Sequence, residues 1–116
     1  MQTRAKLNLI VLYSEAMGQL RDELSAFGFE FKDHQHGQGP VHYAYEREGL
    51  CLEIYPASDN NPSTHSRLGI SVESMDDAME VVASINARIK SPPKESPWGI
   101  RAVVQLKSGM KLEITQ

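Results

Sequence analysis

The apolar positions of this chain change period several times, and each change marks the border of an element. Residues 7–13 are mostly apolar and β-branched, which predicts a strand. Ser14 follows as a helix N-cap, with Glu15 in a first turn where the helix dipole favours an acid. Ala16, Leu20, Leu24 and Phe27 then recur at helical spacing, and Gly28 supplies the left-handed residue that ends such a helix. Further strands are predicted at 29–32, 41–45 and 50–55. A turn-rich loop with Gly37 and Gly39 follows the first of these, and a hairpin at Glu48-Gly49 precedes the last.

After a linker at 57–64, rich in Pro, Ser and Asn, the same order begins again. Leu68, Ile70 and Val72 alternate with polar or small residues as a half-buried strand. Ser74-Met75-Asp76-Asp77 is a capping box, and Met75, Ala78, Met79, Val82 and Ile85 line one face of the helix that follows. Asn86 stands where Gly28 stood. A short strand at 87–90, a proline-rich loop at 91–97, a strand at 100–106 and a last one at 110–115 complete the second half. Gly49-Leu50-Cys51-Leu52-Glu53-Ile54 matches Gly109-Met110-Lys111-Leu112-Glu113-Ile114 at an offset of 113 − 53 = 60. The helical stripes match at 75 − 16 = 59. The chain therefore reads as one α+β domain over 1–116, made of two βαβββ modules at about 5–56 and 65–116.

Composition narrows the class. At 116 residues and 41% hydrophobic, the chain suits one globular core. A net charge of −3 with interspersed signs leaves no footprint for nucleic acid or an anionic membrane. No apolar run approaches the ~20 residues that span a bilayer. The short apolar stretch after the first residues, cut off by Ser14-Glu15, does not fit a signal peptide, so a cytoplasmic location is expected. Cys51 is the only cysteine, and its place in a strand-like run predicts a plain half-buried thiol.

A βαβββ duplication of this size, closed in each half by Leu-Glu-Ile, resembles the glyoxalase/bleomycin-resistance/dioxygenase (vicinal oxygen chelate) superfamily. Pro97-Trp98-Gly99-Ile100-Arg101 is also similar to a segment common there. The resemblance implies two concave mixed β-sheets closing around one ligand site, commonly in a homodimer. In metal-dependent members it implies four ligands for a divalent ion, from the first and last strand of each half. The last-strand positions correspond to Glu53 and Glu113, and alternation with Leu52/Ile54 and Leu112/Ile114 points both acids away from the helix-covered face. The first-strand positions correspond to Asn8, a poor Zn²⁺ or Fe²⁺ ligand, and Arg67, which cannot ligate. A register shift of two residues brings His65 into the second place. Arg67 could instead pair with one of the glutamates.

Other candidates divide between a site and a bland role. His34-Gln35-His36 lies in a Gly-rich loop with no third ligand nearby in sequence, and reads as solvated histidines. His42 is cavity-lining or simply surface. Trp98 and Tyr55 are stacking platforms or structural aromatics, and Arg101 is an anion anchor or a surface arginine. The favoured expectation is a small-molecule-binding protein with no cofactor, holding a cationic or aromatic ligand through Glu53, Tyr55, Arg67, Trp98 and Arg101. The alternative is a glyoxalase-type lyase, isomerase or dioxygenase. There Glu53, Glu113, His65 and Asn8 would hold one divalent metal, and Glu113 would act catalytically as a proton shuttle.

Overall fold

A computed structural model of the chain describes residues 2–116. The elements run β1 (Leu9–Ser14), α1 (Met17–Ala26), β2 (Lys32–His34), β3 (His42–Arg47), β4 (Leu50–Pro56), β5 (Arg67–Ser71), α2 (Met75–Ser84), β6 (Arg88–Ser96), β7 (Gly99–Gln105) and β8 (Lys111–Thr115). They form two four-stranded sheets, ordered β1-β4-β3-β2 and β5-β8-β7-β6. In each sheet the first strand runs parallel to the last and the remaining pairs are antiparallel. The fold is thus α+β, with two mixed sheets each built from one βαβββ run.

Register decides which face of each sheet is buried. Leu12 pairs with Ile54 and Ile10 with Leu52, so these side chains share a face, and Leu20 and Leu24 of α1 join them in the core. In the second sheet Ala102 pairs with Ile114 and Val104 with Leu112, and Met75, Ala78 and Val82 of α2 belong to the same cluster. One continuous core therefore joins both halves on the helix-covered side. The opposite, concave faces carry no helix. The molecule is broad and thin, with extents of 46 × 43 × 24 Å. Its radius of gyration of 15.3 Å exceeds the ~13 Å of a compact chain of this length.

Local chemistry explains most borders. Gly28 (φ +105°) and Asn86 (φ +56°) take the left-handed conformation that stops each helix. The Ser74 hydroxyl accepts the Asp77 N–H at 3.1 Å, as the capping box predicts. Ser14 behaves differently from expectation. It is the buried last residue of β1, committed to its pairing with Pro56, and Ala16 takes the N-cap position of α1. The Ser14 hydroxyl accepts the Ala16 N–H at 3.0 Å, and the Glu15 N–H donates to Ser63 Oγ at 3.0 Å.

Two strands are also displaced. Phe29 and Phe31, expected inside the second strand, instead pack against Tyr45 at ring distances of 5.0 and 6.0 Å, and β2 begins at Lys32. The proline-rich stretch is no loop, because β6 runs through it to Ser96 with register shifts after Ile89 and Ser91. β6 is an edge strand, so Pro92 and Pro93, which lack an N–H, cost the sheet little there. The linker is pinned to the end of β1, where Tyr13 N–H donates to Thr64 Oγ1 at 2.9 Å and Thr64 N–H to the Tyr13 carbonyl at 2.8 Å. No helix among the described residues is long and apolar enough to cross a membrane.

Candidate functional site: two open sheet faces

The concave face of the first sheet follows from its pairing. Val11 stands beside Glu53 and Tyr13 beside Tyr55, while Ala44 flanks Glu53 and Glu46 flanks Cys51 on the other side. Lys32 and His34 extend the same face at the β2 edge. A cleft of about 490 Å³ opens there, lined only by first-half residues that include Lys32, His34, Glu46, Cys51 and Glu53. The Cys51 thiol is pushed up by burial and then by the negative charges of Glu53 and Glu46, which disfavours its thiolate.

Glu53 does not stand alone. Its Oε2 lies 3.2 Å from His42 Nε2, and His42 is buried. The His42 ring stacks on Tyr55 with centroids 4.1 Å apart and planes 10° from parallel. Tyr13 closes on Tyr55 from the β1 side at 6.2 Å. Burial, and after it the Glu53 charge, raises the Tyr55 phenol above its ordinary value.

The concave face of the second sheet differs in charge. Pairing puts Arg67, Lys111, Arg101, Arg88 and Lys94 on it, against the single acid Glu113. Glu113 Oε1 accepts from Arg101 Nη2 at 2.8 Å and from Arg67 Nη1 at 3.1 Å. These hydrogen bonds, Arg101's first and Arg67's second, hold the Glu113 carboxyl below the usual carboxylate range. A group depressed in this way stabilises the fold fully above its unfolded value of ~4.3. That contribution is lost as pH falls through the folded value. An NMR titration of the Glu113 side chain should therefore give a midpoint below ~4.3. Arg101→Ala should bring it back further than Arg67→Ala, and an ordinary midpoint in the unmodified chain would rule the pairing out.

The superfamily resemblance raises a metal held by first- and last-strand residues, and the donor set does not fit one. The first-strand neighbour of Glu53 is Val11 and that of Glu113 is Gly69, neither of which can ligate. Asn8 precedes β1, three positions before Val11, so alternation turns it to the other face; its carbonyl accepts the Cys51 N–H at 3.0 Å. His65 lies beside Gly109, where an added Cβ would stand 3.9 Å from its Nδ1, four positions short of Glu113. Two guanidinium groups already occupy Glu113 Oε1. So paired, the carboxylate is a charged acceptor and a poor proton shuttle at neutral pH.

The remaining expected residues fall into separate places. Tyr55 and Glu53 share the first face, and Arg67 and Arg101 share the second. Trp98 is 75% exposed at the β6–β7 hairpin tip, where Ser96 Oγ accepts its N–H at 3.2 Å, so it has no core role. One cluster was missed by sequence reasoning. His34 pairs with His42 across β2 and β3, and the turn after His36 folds that residue back, bringing three histidines together. Only strand register could have revealed it, since His42 is eight positions beyond His34.

No protein-family model and no curated protein matches this sequence. Solved structures do match its shape. TnmS3, an antibiotic binding protein from Streptomyces sp. CB03234, superposes with a TM-score of 0.78 over 100% of this chain and 98% of its own, at 16% identity. TioX from Micromonospora sp. ML1 gives 0.72 over 97% and 98%, at 20% identity. A glyoxalase/bleomycin resistance protein from Streptomyces sp. CB03234 gives 0.71 over 96% and 100%, at 17% identity. With two βαβββ modules, two concave mixed sheets and these full-length likenesses, the chain has the glyoxalase/bleomycin-resistance fold.

Proposed function

We propose that the chain is a small-molecule-binding protein whose ligand is aromatic and carries an anionic or electron-rich oxygen group, bound without a metal between Glu53 and Glu113. The observation that carries this reading is the second concave face, which sets five bases against one acid already paired with two of them. Such a face attracts a carboxylate, phenolate or phosphate through Arg101 and Arg67, whose planar forks suit paired oxygens. It disfavours the cationic ligand that Glu53 and Glu113 suggest in sequence. The Tyr13–Tyr55 pair on the first face and exposed Trp98 supply the aromatic surfaces. An antibiotic-binding protein of the same fold supports a small organic ligand.

A homodimer belongs to the same proposal. Each concave face is open, and Leu7, Leu9 and Leu50 are exposed near the start of the β1–β4 pair. A second copy would cover them and roof the faces. The test uses the single tryptophan as reporter. With chelator present, aromatic carboxylates and polyphenols should quench Trp98 fluorescence saturably, and matched aromatic ammonium compounds should not. Arg101→Ala should weaken binding at least about tenfold, or ~1.4 kcal/mol. Preference for the ammonium series, or binding only after metal is restored, would overturn the proposal.

A further inference from the structure

We infer that His34, His36 and His42 form a transition-metal site on the first half of the chain, distinct from the Glu53/Glu113 positions where the fold leads one to look. It does not rest on the ligand reading above. One imidazole nitrogen from each residue can be chosen so that all three lie within 4.8 Å of one another. Zn–N bonds of ~2.1 Å need nitrogens about 3–4 Å apart, and side-chain rotation of the exposed His34 and His36 closes that gap.

His42 is the fixed member. It is 1% exposed, clamped on one face by the stacked Tyr55 ring. Its Nδ1 lies 3.3 Å from the Pro40 carbonyl, and its Nε2 lies 3.2 Å from the Glu53 carboxylate and 3.3 Å from the Tyr55 hydroxyl. With the proton on Nδ1, Nε2 presents a lone pair to a metal; with a proton on Nε2, the ring donates to Glu53 instead. A metal and a proton therefore compete for the His42 ring. A backbone carbonyl on one nitrogen of a histidine, leaving the other free for a metal, is the arrangement that orients metal-binding imidazoles. Glu53 then supplies nearby negative charge.

The two mobile members are held close by backbone. His34 is the direct cross-strand partner of His42, their rings 5.8 Å apart. After His36 the chain turns through Gly37 (φ +57°), the Gly39 N–H donates to the His36 carbonyl at 2.9 Å, and Gln35 Nε2 donates to the Gly39 carbonyl at 2.9 Å. This turn places the His36 ring 5.2 Å from that of His42. Three neutral imidazoles select a borderline divalent ion, Zn²⁺, Ni²⁺, Co²⁺ or Cu²⁺, over Mg²⁺ or Ca²⁺, and leave a position open to water.

The chain has four histidines, three in the cluster and His65 outside it, so the test has an internal control. Chelator-stripped protein should take up one Zn²⁺ per chain by calorimetry, and Co²⁺ should give visible absorption bands from nitrogen ligation. His36→Ala and His34→Ala, both at exposed positions, should each weaken uptake at least tenfold, and the double variant should abolish it. His65→Ala should leave it unchanged. Uptake that survives the double variant, is lost with His65→Ala, or is absent from the unmodified chain would overturn the assignment. Circular dichroism of each variant separates lost ligation from lost folding.

Discussion

Truncating Ile54 to alanine is expected to cost about 2–5 kcal/mol, a large share of the ~5–15 kcal/mol by which such domains are stable. Ile54 is fully buried, and so is Ile114, its counterpart in the second half at an offset of 114 − 54 = 60. Ile114→Ala should therefore cost a similar amount. Both residues belong to one cluster that joins α1, α2 and both sheets, so either change should lower the melting temperature of the whole molecule by roughly 10–20 °C. Hydrogen exchange should show β1–β4 and β5–β8 losing protection together in either variant. Selective loss in the half that carries the substitution would mean that the halves have separate cores.

The second large effect is expected at Gly99. Its φ of +106° is a conformation other residues adopt only with strain, and an added Cβ would overlap the Gln116 carbonyl oxygen. That oxygen accepts the Ile100 N–H at 3.3 Å, the Gln116 N–H returns to the Ile100 carbonyl at 2.9 Å, and the Gln116 side chain accepts the Met75 N–H at 2.6 Å. Gly99→Ala thus strains its own backbone by about 1–3 kcal/mol and also dislodges a residue tied to both β7 and α2. Gly109→Ala is the matched control. Its φ is nearly the same at +103°, but its nearest neighbour, the His65 ring, is an ordinary 3.9 Å away. Urea melts should show Gly99→Ala costing clearly more, by about 1 kcal/mol or above. Equal costs would mean that Gln116 moves aside freely.

Where a local signal was sufficient, the sequence was easily read. Gly28 and Asn86 end their helices, Ser74 caps α2, and the Leu-Glu-Ile repeats close each half with their glutamates on the concave faces. Tertiary pairing overrode local signals elsewhere. Ser14 is a good cap by type, yet the ladder with Pro56 claims it, and prolines that read as a loop sit in β6 because an edge strand needs half its N–H groups unpaired. The site was legible only as faces. Alternation assigned Glu53 and Glu113 a direction, but their partners depend on register across strands distant in sequence. Val11 and Gly69, not Asn8 and Arg67 (or His65 by a register shift), are the strand partners of the two acids for that reason, and the His34–His42 pairing was hidden in the same way.

One hydrogen bond between the halves breaks the symmetry of the repeat. Glu23, 4% exposed in α1, accepts the Lys107 N–H at 2.8 Å from the hairpin before β8, reaching from the first half into the second. The position that corresponds to Glu23 in α2, at 82 − 23 = 59, is Val82, which has no polar atom to offer. An assembly of two second halves would leave that amide without its carboxylate acceptor. The halves are alike in shape but not interchangeable. A duplicated gene whose copies could still pair with themselves would yield several molecules from one chain, and a single carboxylate biases this one toward the heterotypic pair.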